Sequence, residues 1–211
     1  SCYYDKQTES LSDAEDLALR LTCEHAQLEN GLDILELGCG WGSLSLWMAK
    51  HFPESNITSV SNSHSQREYI LEQARKRGLE NIRVITADVN AFETDSTFDR
   101  VVSVEMFEHM RNYEKLMAKM SSWLKPDGKL FVHIFCHKTT PYYFEVDGED
   151  NWMGAYFFTG GIMPSNHLLL YFQDHMAIEQ HWLVNGTNYQ KTSLAWLENT
   201  DNHKQHIIDL F

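Results

Sequence analysis

Short apolar stretches alternate with longer amphipathic ones from residue 12 to residue 135. The short stretches, rich in Val, Ile and Leu, predict buried strands over residues 32–37, 56–61, 82–86, 98–104 and 129–135. The amphipathic stretches predict helices over residues 12–27, 43–51, 65–77 and 105–124. Ser12 is the expected cap of the first helix, Gly78 closes the third, and the turn at residues 126–128 stops the fourth.

This alternation predicts the fold class. Strands separated by helical crossovers pair in parallel, and right-handed crossovers place helices on both faces of the sheet. We therefore expect an α/β, Rossmann-like, doubly wound and mostly parallel sheet, within a single domain that spans residues 1–211.

The pattern changes after Cys136. Residues 139–164 are rich in aromatic residues, glycine and acids, and follow neither a helical nor a strand period. Ligands of open α/β sheets bind at the carboxyl ends of the strands, so we expect residues 139–170 to form an inserted substrate loop there. A strand over residues 176–184 and a helix over residues 192–201 complete the predicted elements.

The chain is acidic. Seventeen Lys and Arg residues stand against 30 Asp and Glu, a net charge of −13 over 211 residues. That balance argues against a nucleic acid or an anionic membrane as partner and is compatible with a small cationic ligand. No stretch reaches the ~20 apolar residues that cross a bilayer. The four cysteines lie far apart in sequence and form no zinc or disulfide pattern, so we expect a reducing, cytoplasmic setting.

A glycine motif follows the first predicted strand. In Glu36-Leu-Gly-Cys-Gly-Trp-Gly42, glycines at positions 38, 40 and 42 let the backbone turn tightly and approach a ligand, which the next helix faces with its amino end. A dinucleotide loop has a different glycine spacing, and an acid usually closes its second strand, where this chain has Ser61 and Asn62. The motif therefore favours S-adenosylmethionine, against the simpler interpretation of a structural turn without ligand.

Asp88, Val89 and Asn90 follow the third predicted strand. A carboxylate or amide there can pair with the exocyclic amine of an adenine. An Asx turn that leaves the strand explains the same residues equally well on spacing alone.

Motifs along the whole chain resemble the cyclopropane-fatty-acid-synthase-like branch of class I methyltransferases, and especially the plant coclaurine-type N-methyltransferases. The resemblance rests on residues 35–46, 104–110, 130–139, 157–161 with Pro164, and 171–174. It implies S-adenosylmethionine as methyl donor and ribose contacts from Ser61 and Gln66. With those two, the expected cofactor-binding residues are Glu36, Gly38, Gly40, Gly42, Asn62, Asp88, Val89, Asn90 and Val104.

Family members extend further at both ends. The resemblance therefore implies that this chain is the catalytic domain of a longer enzyme and that its sheet lacks the family's last strand.

Three polar residues follow the fourth predicted strand. On a helix, the spacings between Glu105, Glu108 and His109 would bring all three side chains together. A histidine beside a carboxylate accepts protons near neutral pH. The positions match the glutamates and histidine that the related enzymes use around the substrate amine. We therefore expect Glu108 and His109 to act as base and amine-orienting group, with Glu105 steadying the charge that develops on nitrogen. A capping acid and a surface histidine would be the structural interpretation.

The cyclopropane synthases of the same branch hold a bicarbonate ion with a Cys, a Glu, a His and a Tyr. Cys2, Glu108, His133 and Tyr189 are the counterparts here, so methylene transfer to an unsaturated lipid is the alternative activity. A catalytically silent cofactor-binding module is the alternative of another class. A metal is rejected, because the strand alternation would turn Cys136 away from His133 and His137.

Aromatic residues favour the amine. Planar amines suit stacking and cation–π contacts, although packing among the rings themselves would use the same residues. The residues are Tyr142, Tyr143, Phe144, Trp152, Tyr156, Phe157 and Phe158.

Overall fold

A five-stranded parallel sheet forms the centre of residues 25–179. The computed structural model describes residues 2–8, 10–145 and 152–210. Residues 25–179 form one compact unit, and residues 1–24 form a second one with residues 180–211. The sheet has the order β3-β2-β1-β4-β5, and all of its paired strands are parallel. Its strands are β1 Asp33–Leu37, β2 Asn56–Ser61, β3 Ile82–Thr86, β4 Phe98–Val104 and β5 Leu124–His133.

Helices cover both faces of this sheet, as predicted. They are α2 Ser43–His51, α3 His64–Lys76 and α4 Tyr113–Trp123. Helix α1, Leu11–His25, precedes the first strand and lies almost wholly in the smaller unit. On one face, Leu46 of α2 and Ile70 of α3 pack with Val84 of β3. On the other, Leu35 and Leu37 of β1 pack in a buried cluster to which α4 contributes. The α/β, doubly wound fold class is confirmed.

The strand order places the ligand-binding edge. β1 lies between β2 and β4, where the order of connection reverses, and such switch points form the binding crevice of open α/β sheets. The glycine loop leaves β1 there, and residues 105–109 leave the adjacent β4. Both segments therefore emerge side by side at the carboxyl end of the sheet.

The predicted helix over residues 105–124 is wrong at its amino end. Glu105 has a positive φ of 51°, which ends β4 in a left-handed turn. A short 3₁₀ helix, Phe107–His109, follows, and α4 begins only at Tyr113. The apolar and acidic residues of this segment form a continuous pattern that resembles a single helix. The apolar residues are there because the segment is buried, and not because it follows a helical period.

The predictions for the later segments also need correction. The strand predicted over residues 129–135 spans Leu124–His133, because residues 126–128 lie within β5 and do not stop α4. The strand predicted over residues 176–184 does not form. Beyond β5, the elements are β6 Tyr142–Tyr143, α5 Trp152–Tyr156, β7 Ile162–Met163, a 3₁₀ helix Leu168–Tyr171, α6 Thr187–Asn202 and α7 Lys204–Ile208.

Within the smaller unit, hydrogen bonds join the amino-terminal segment to α6. The backbone N–H of Cys2 donates to Thr192 Oγ1 at 3.1 Å, and that of Tyr4 donates to Asn188 Oδ1 at 2.8 Å. The cap of α1 is Ser10, not Ser12: the Ser10 hydroxyl accepts from the Asp13 N–H, and the Asp13 carboxylate accepts from the Ser10 N–H. Within the described ranges, no helix is long and apolar enough to cross a membrane.

Candidate active site

The glycine loop has two crowded positions, Gly38 against Met106 and Gly42 against Ile70, and one open position, Gly40. A Cβ at Gly42 would lie 2.5 Å from Ile70 Cγ1, and φ there is 82°, so only glycine lets α2 and α3 approach this closely. A Cβ at Gly40, where φ is 52°, would meet no atom within 4 Å. Gly40 therefore borders an open space that a side chain would fill.

The main-chain N–H groups of the loop differ in their hydrogen bonding. The N–H groups of Gly38 and Cys39 both donate to the carbonyl of Val60 at 3.0 Å, which fixes the start of the loop on β2. The N–H groups of Gly40 and Trp41 have no acceptor among the residues described. Free amides at the start of a helix suit a carboxylate or another negatively charged group.

The end of β2 supplies a donor. The Ser61 hydroxyl donates to Gln66 Oε1 at 2.6 Å and accepts from the Ser63 N–H at 3.1 Å. Because its oxygen is held by Ser61, the Gln66 side chain is left with its amide nitrogen to offer as a donor. The structure thus brings Ser61 and Gln66 together, and Asn62 beside them is exposed.

The loop after β3 forms an Asx turn. Asp88 Oδ1 accepts from the N–H of Asn90 at 2.8 Å, and Asn112 Nδ2 donates to Asn90 Oδ1 at 3.2 Å. Val89 packs against the core cluster, and Val104 ends β4 half-buried. The Asx turn that the sequence suggested is formed. Asp88 is nevertheless exposed, as the alternative interpretation of an adenine contact requires. An adenine contact from these residues stays a prediction.

Glu36 points beneath the glycine loop. It is 4% exposed, and its Oε2 accepts from the hydroxyls of Ser45 and Ser59, the latter at 3.0 Å. Burial raises the pKa of Glu36 to about 7, and the two serine hydrogen bonds oppose that rise. Sequence reasoning missed both serines. The strand register pairs Glu36 with Ser59, so aligning β1 with β2 was the available signal.

Glu108 is buried without a partner. Its side chain is 1% exposed, and neither carboxyl oxygen has a hydrogen-bond partner within the described part of the chain. Burial raises the pKa of Glu108 to about 8, and the charge of Glu105 adds to the rise. A Cβ at Gly161 would lie 2.6 Å from the Glu108 carbonyl, so a glycine is required above this residue.

His109 stands next to Glu108 but faces outward. Its ring stacks on Phe158, with the centroids 5.4 Å apart and an interplanar angle of 26°. The imidazole is exposed overall, and partial desolvation by its neighbours lowers its pKa. The 3₁₀ turn therefore separates a buried acid from an accessible base within two consecutive residues.

Glu105 and His133 meet through the backbone. The N–H of Glu105 donates to the His133 carbonyl at 2.7 Å, across the paired ends of β4 and β5. Desolvation lowers the pKa of His133, and the charge of Glu105 partly offsets this. The helical spacing expected for Glu105, Glu108 and His109 is wrong, because Glu105 lies in a left-handed turn before the 3₁₀ helix.

The aromatic residues divide into two groups. Phe158 is 5% exposed and contacts the rings of Phe135, Phe144 and Phe157 as well as His109. The exposed group, open to further stacking, consists of Tyr142, Tyr143, Tyr156 and Phe157. Arg111 already covers Tyr143, with its Cζ 4.3 Å from the ring centroid. The side chain of Trp152 lies outside the described residues.

Cys2 and Tyr189 belong to the smaller unit, whereas Glu108 and His133 belong to the larger one. Cys2 is buried and Tyr189 is 37% exposed.

The strand alternation invoked for His133 and His137 does not extend that far, since β5 ends at His133. His137 Nδ1 instead accepts from the N–H groups of Thr139 and Thr140. Within the described ranges, no cluster of three or more His, Cys, Asp or Glu residues could hold a metal.

Known proteins resemble this chain over most or all of its length. The family model described as mycolic acid cyclopropane synthetase matches residues 1–211. The chain is 42% identical over 212 residues to (S)-coclaurine N-methyltransferase of Thalictrum flavum subsp. glaucum, covering 100% of this chain and 59% of that protein. It is 32% identical over 200 residues to the cyclopropane-fatty-acyl-phospholipid synthase of Escherichia coli (strain K12), covering 94% of this chain and 50% of that one.

A solved structure agrees. The crystal structure of a coclaurine N-methyltransferase bound to N-methylheliamine and SAH superposes with a TM-score of 0.90 at 41% identity, covering 95% of this chain and 60% of that one. The chain thus spans about three-fifths of the length of the N-methyltransferases that it matches. The resemblance inferred from the motifs is confirmed. This chain belongs to the mycolic acid cyclopropane synthetase family.

Proposed function

We propose that this chain carries the catalytic site of an S-adenosylmethionine-dependent methyltransferase that methylates the nitrogen of a small cyclic or aromatic amine. The observation that carries the proposal is the buried carboxyl of Glu108, which has no hydrogen-bond partner in the described residues. It lies directly after β4, beside the strand that leads into the glycine loop. An unpaired buried acid is costly unless a ligand completes it, and an ammonium group is the matching ligand.

The glycine loop fits the cofactor. The open space at Gly40 and the free N–H groups of Gly40 and Trp41 suit the carboxylate of its methionine part, and the Gln66 amide suits a ribose hydroxyl. When bound, S-adenosylmethionine supplies an electrophilic methyl group. The chain's residues then have to align the two partners and exclude water, and such alignment provides most of the acceleration in methyl transfer.

Glu108 is the proposed base. An amine reaches the site largely as the ammonium ion, and it has to lose a proton before its lone pair can attack. The carboxylate of Glu108 accepts that proton, and nitrogen then forms a bond to the methyl carbon as the bond between carbon and sulfur breaks. A carboxyl whose pKa is about 8 is a stronger base than an ordinary glutamate, which reduces the mismatch with an amine. His109, exposed at the rim, relays the proton to solvent, and Glu105 stabilises charge on nitrogen.

The domain organisation and partners are part of the same proposal. Residues 1–211 act as one catalytic domain, and residues 139–170, of which 146–151 lie outside the described residues, are its substrate loop. The acidic chain, at −13, suits a cationic ligand better than a nucleic acid. A cytoplasmic setting accords with this chemistry.

Two other activities give different outcomes in the same experiment. The 211-residue protein is incubated with S-adenosylmethionine labelled in its methyl group, with a panel of cyclic secondary amines, and with unsaturated phospholipid vesicles. We expect label in the amines. Label in the lipid that requires bicarbonate and is lost in Cys2→Ser or Tyr189→Phe would establish the cyclopropane activity instead. Cofactor binding by calorimetry without transfer to either class would identify a silent module.

The loop itself provides a first mutational prediction. Gly40→Ala places a methyl group in the open space, and Gly78→Ala places one at a helix end where φ is 65° and no atom lies within 4 Å. Both variants are expected to lose about 1 kcal/mol of unfolding free energy, because both put alanine at a positive φ. Only Gly40→Ala is expected to weaken S-adenosylhomocysteine binding, by roughly 10-fold or more. Equal affinities in the two variants would place the cofactor elsewhere.

A further inference from the structure

Glu36, Ser45 and Ser59 form a closed set of buried side chains under the glycine loop. Ser45 and Ser59 are fully buried, at 0% exposure, and their hydroxyls lie 2.9 Å apart. Both donate to the same carboxyl oxygen of Glu36. We propose that Ser45 and Ser59 are positioning residues that, through Glu36, hold the glycine loop in its cofactor-binding shape. The inference rests on the proposed cofactor site and identifies residues that the site's direct contacts do not include.

The three residues lie where they can control the loop. Glu36 is on β1, two residues before Gly38, and Ser45 is in the first turn of α2, three residues after Gly42. The hydrogen bond between them therefore joins the two ends of the loop. Ser59 lies opposite Glu36 on β2 and fixes the pair to the next strand. On the same strand, the carbonyl of Val60 accepts from the N–H groups of Gly38 and Cys39, so β2 holds both Glu36 and the start of the loop.

Electrostatics and burial favour this arrangement. A carboxylate beneath the amino end of α2 interacts favourably with the helix dipole. Without its two serine donors, the carboxylate would be a buried acceptor with much of its solvation lost. The glutamate side chain is then expected to turn away or to protonate. Either change is expected to break the link between β1 and α2 and to loosen the loop that carries the N–H groups of Gly40 and Trp41.

A direct contact between Glu36 and the cofactor would give different affinities in the variants. In the direct case, the negative charge does the binding, and Glu36→Gln should abolish affinity while the serines should matter little. In the positioning case, Glu36→Gln keeps an oxygen that accepts from both hydroxyls. That variant should retain affinity within about 3-fold, whereas Ser45→Ala with Ser59→Ala should weaken it by roughly 10-fold or more.

The experiment measures S-adenosylhomocysteine affinity by calorimetry and amide hydrogen exchange over residues 38–42. The variants are Glu36→Gln, the serine double variant and Ser55→Ala. Ser55 is an equally buried serine whose hydroxyl accepts from Gly31 and Leu32 near the opposite end of the sheet, so it reports the general cost of losing a buried hydroxyl. We expect weaker binding and faster loop exchange only in the double variant.

Two results would overturn the inference. One is a double variant with the affinity and loop exchange of Ser55→Ala, and the other is a Glu36→Gln variant that loses affinity while the double variant keeps it. If the unaltered protein binds no S-adenosylhomocysteine, the proposed function fails. The exchange measurement, which needs no ligand, still decides whether the serines hold the loop.

Discussion

Glu108→Gln is expected to lower kcat/KM for amine methylation by about 10²–10⁴-fold, the usual contribution of a general base. The same substitution should raise stability at alkaline pH. The pKa of Glu108 is raised from 4.5 to about 8 by burial, so the folded protein holds a proton that the unfolded chain releases between these values. Wild-type stability therefore falls as pH rises from about 4.5 to 8, and the glutamine variant lacks this loss.

Chemical denaturation at pH 5 and pH 9 measures the effect. Between these pH values, the variant should gain roughly 4 kcal/mol relative to the wild type. Comparing two pH values cancels the constant cost of burying an amide. Glu114→Gln is the control, because Glu114 lies exposed in the first turn of α4, and it should leave rate and stability nearly unchanged. A Glu108→Gln variant with wild-type turnover would exclude Glu108 as the base.

Glu105→Gly separates backbone strain from side-chain function. Glu105 and Gln27 are the two non-glycine residues with positive φ in the described ranges, at 51° and 52°. Glycine relieves the strain of that conformation, by about 1–2 kcal/mol, and costs about 0.5–1 kcal/mol in chain entropy. Both Glu105→Gly and Gln27→Gly should therefore be as stable as the wild type or slightly more stable.

Activity distinguishes the two positions. Glu105→Gly is expected to lower kcat/KM by roughly 10²-fold through loss of charge stabilisation at nitrogen, and Gln27→Gly should not change it. Glu105→Gln keeps the strain and removes the charge, so it should lose a similar factor. Thermal unfolding and steady-state kinetics on the three variants test this. Full activity in Glu105→Gly would mean that the strained turn serves the fold and not the reaction.

The central sheet was predictable because most residues of its inner strands β1, β2 and β4 are buried. β2, β3, β4 and α2 have the boundaries that the apolar pattern indicates. Residues 105–112 were not predictable in this way. Their turn depends on a left-handed Glu105 and on the close approach of Gly161, 53 residues later in the chain, to Glu108. Local periodicity contains no information on such a contact.

The candidate site was only partly visible for the same reason. The glycine loop and the pairing of Ser61 with Gln66 follow from residues that are close in sequence. The burial of Glu108 and the exposure of His109 depend on packing against a later segment, where Gly161 lies close to Glu108 and Phe158 stacks on His109, and no spacing rule describes this packing. The link between Glu36 and its serines requires the strand register.

The most direct test of the account follows the methyl group itself. S-adenosylmethionine with a fully deuterated methyl group is incubated with this protein, a cyclic secondary amine and unsaturated phospholipid. Mass spectrometry then measures the deuterium content of the amine and lipid products. We predict an amine product that keeps all of the deuterium of the methyl group, because nitrogen loses a proton and the methyl group loses none. A lipid product that has lost one deuterium, the signature of methylene transfer, would contradict the account.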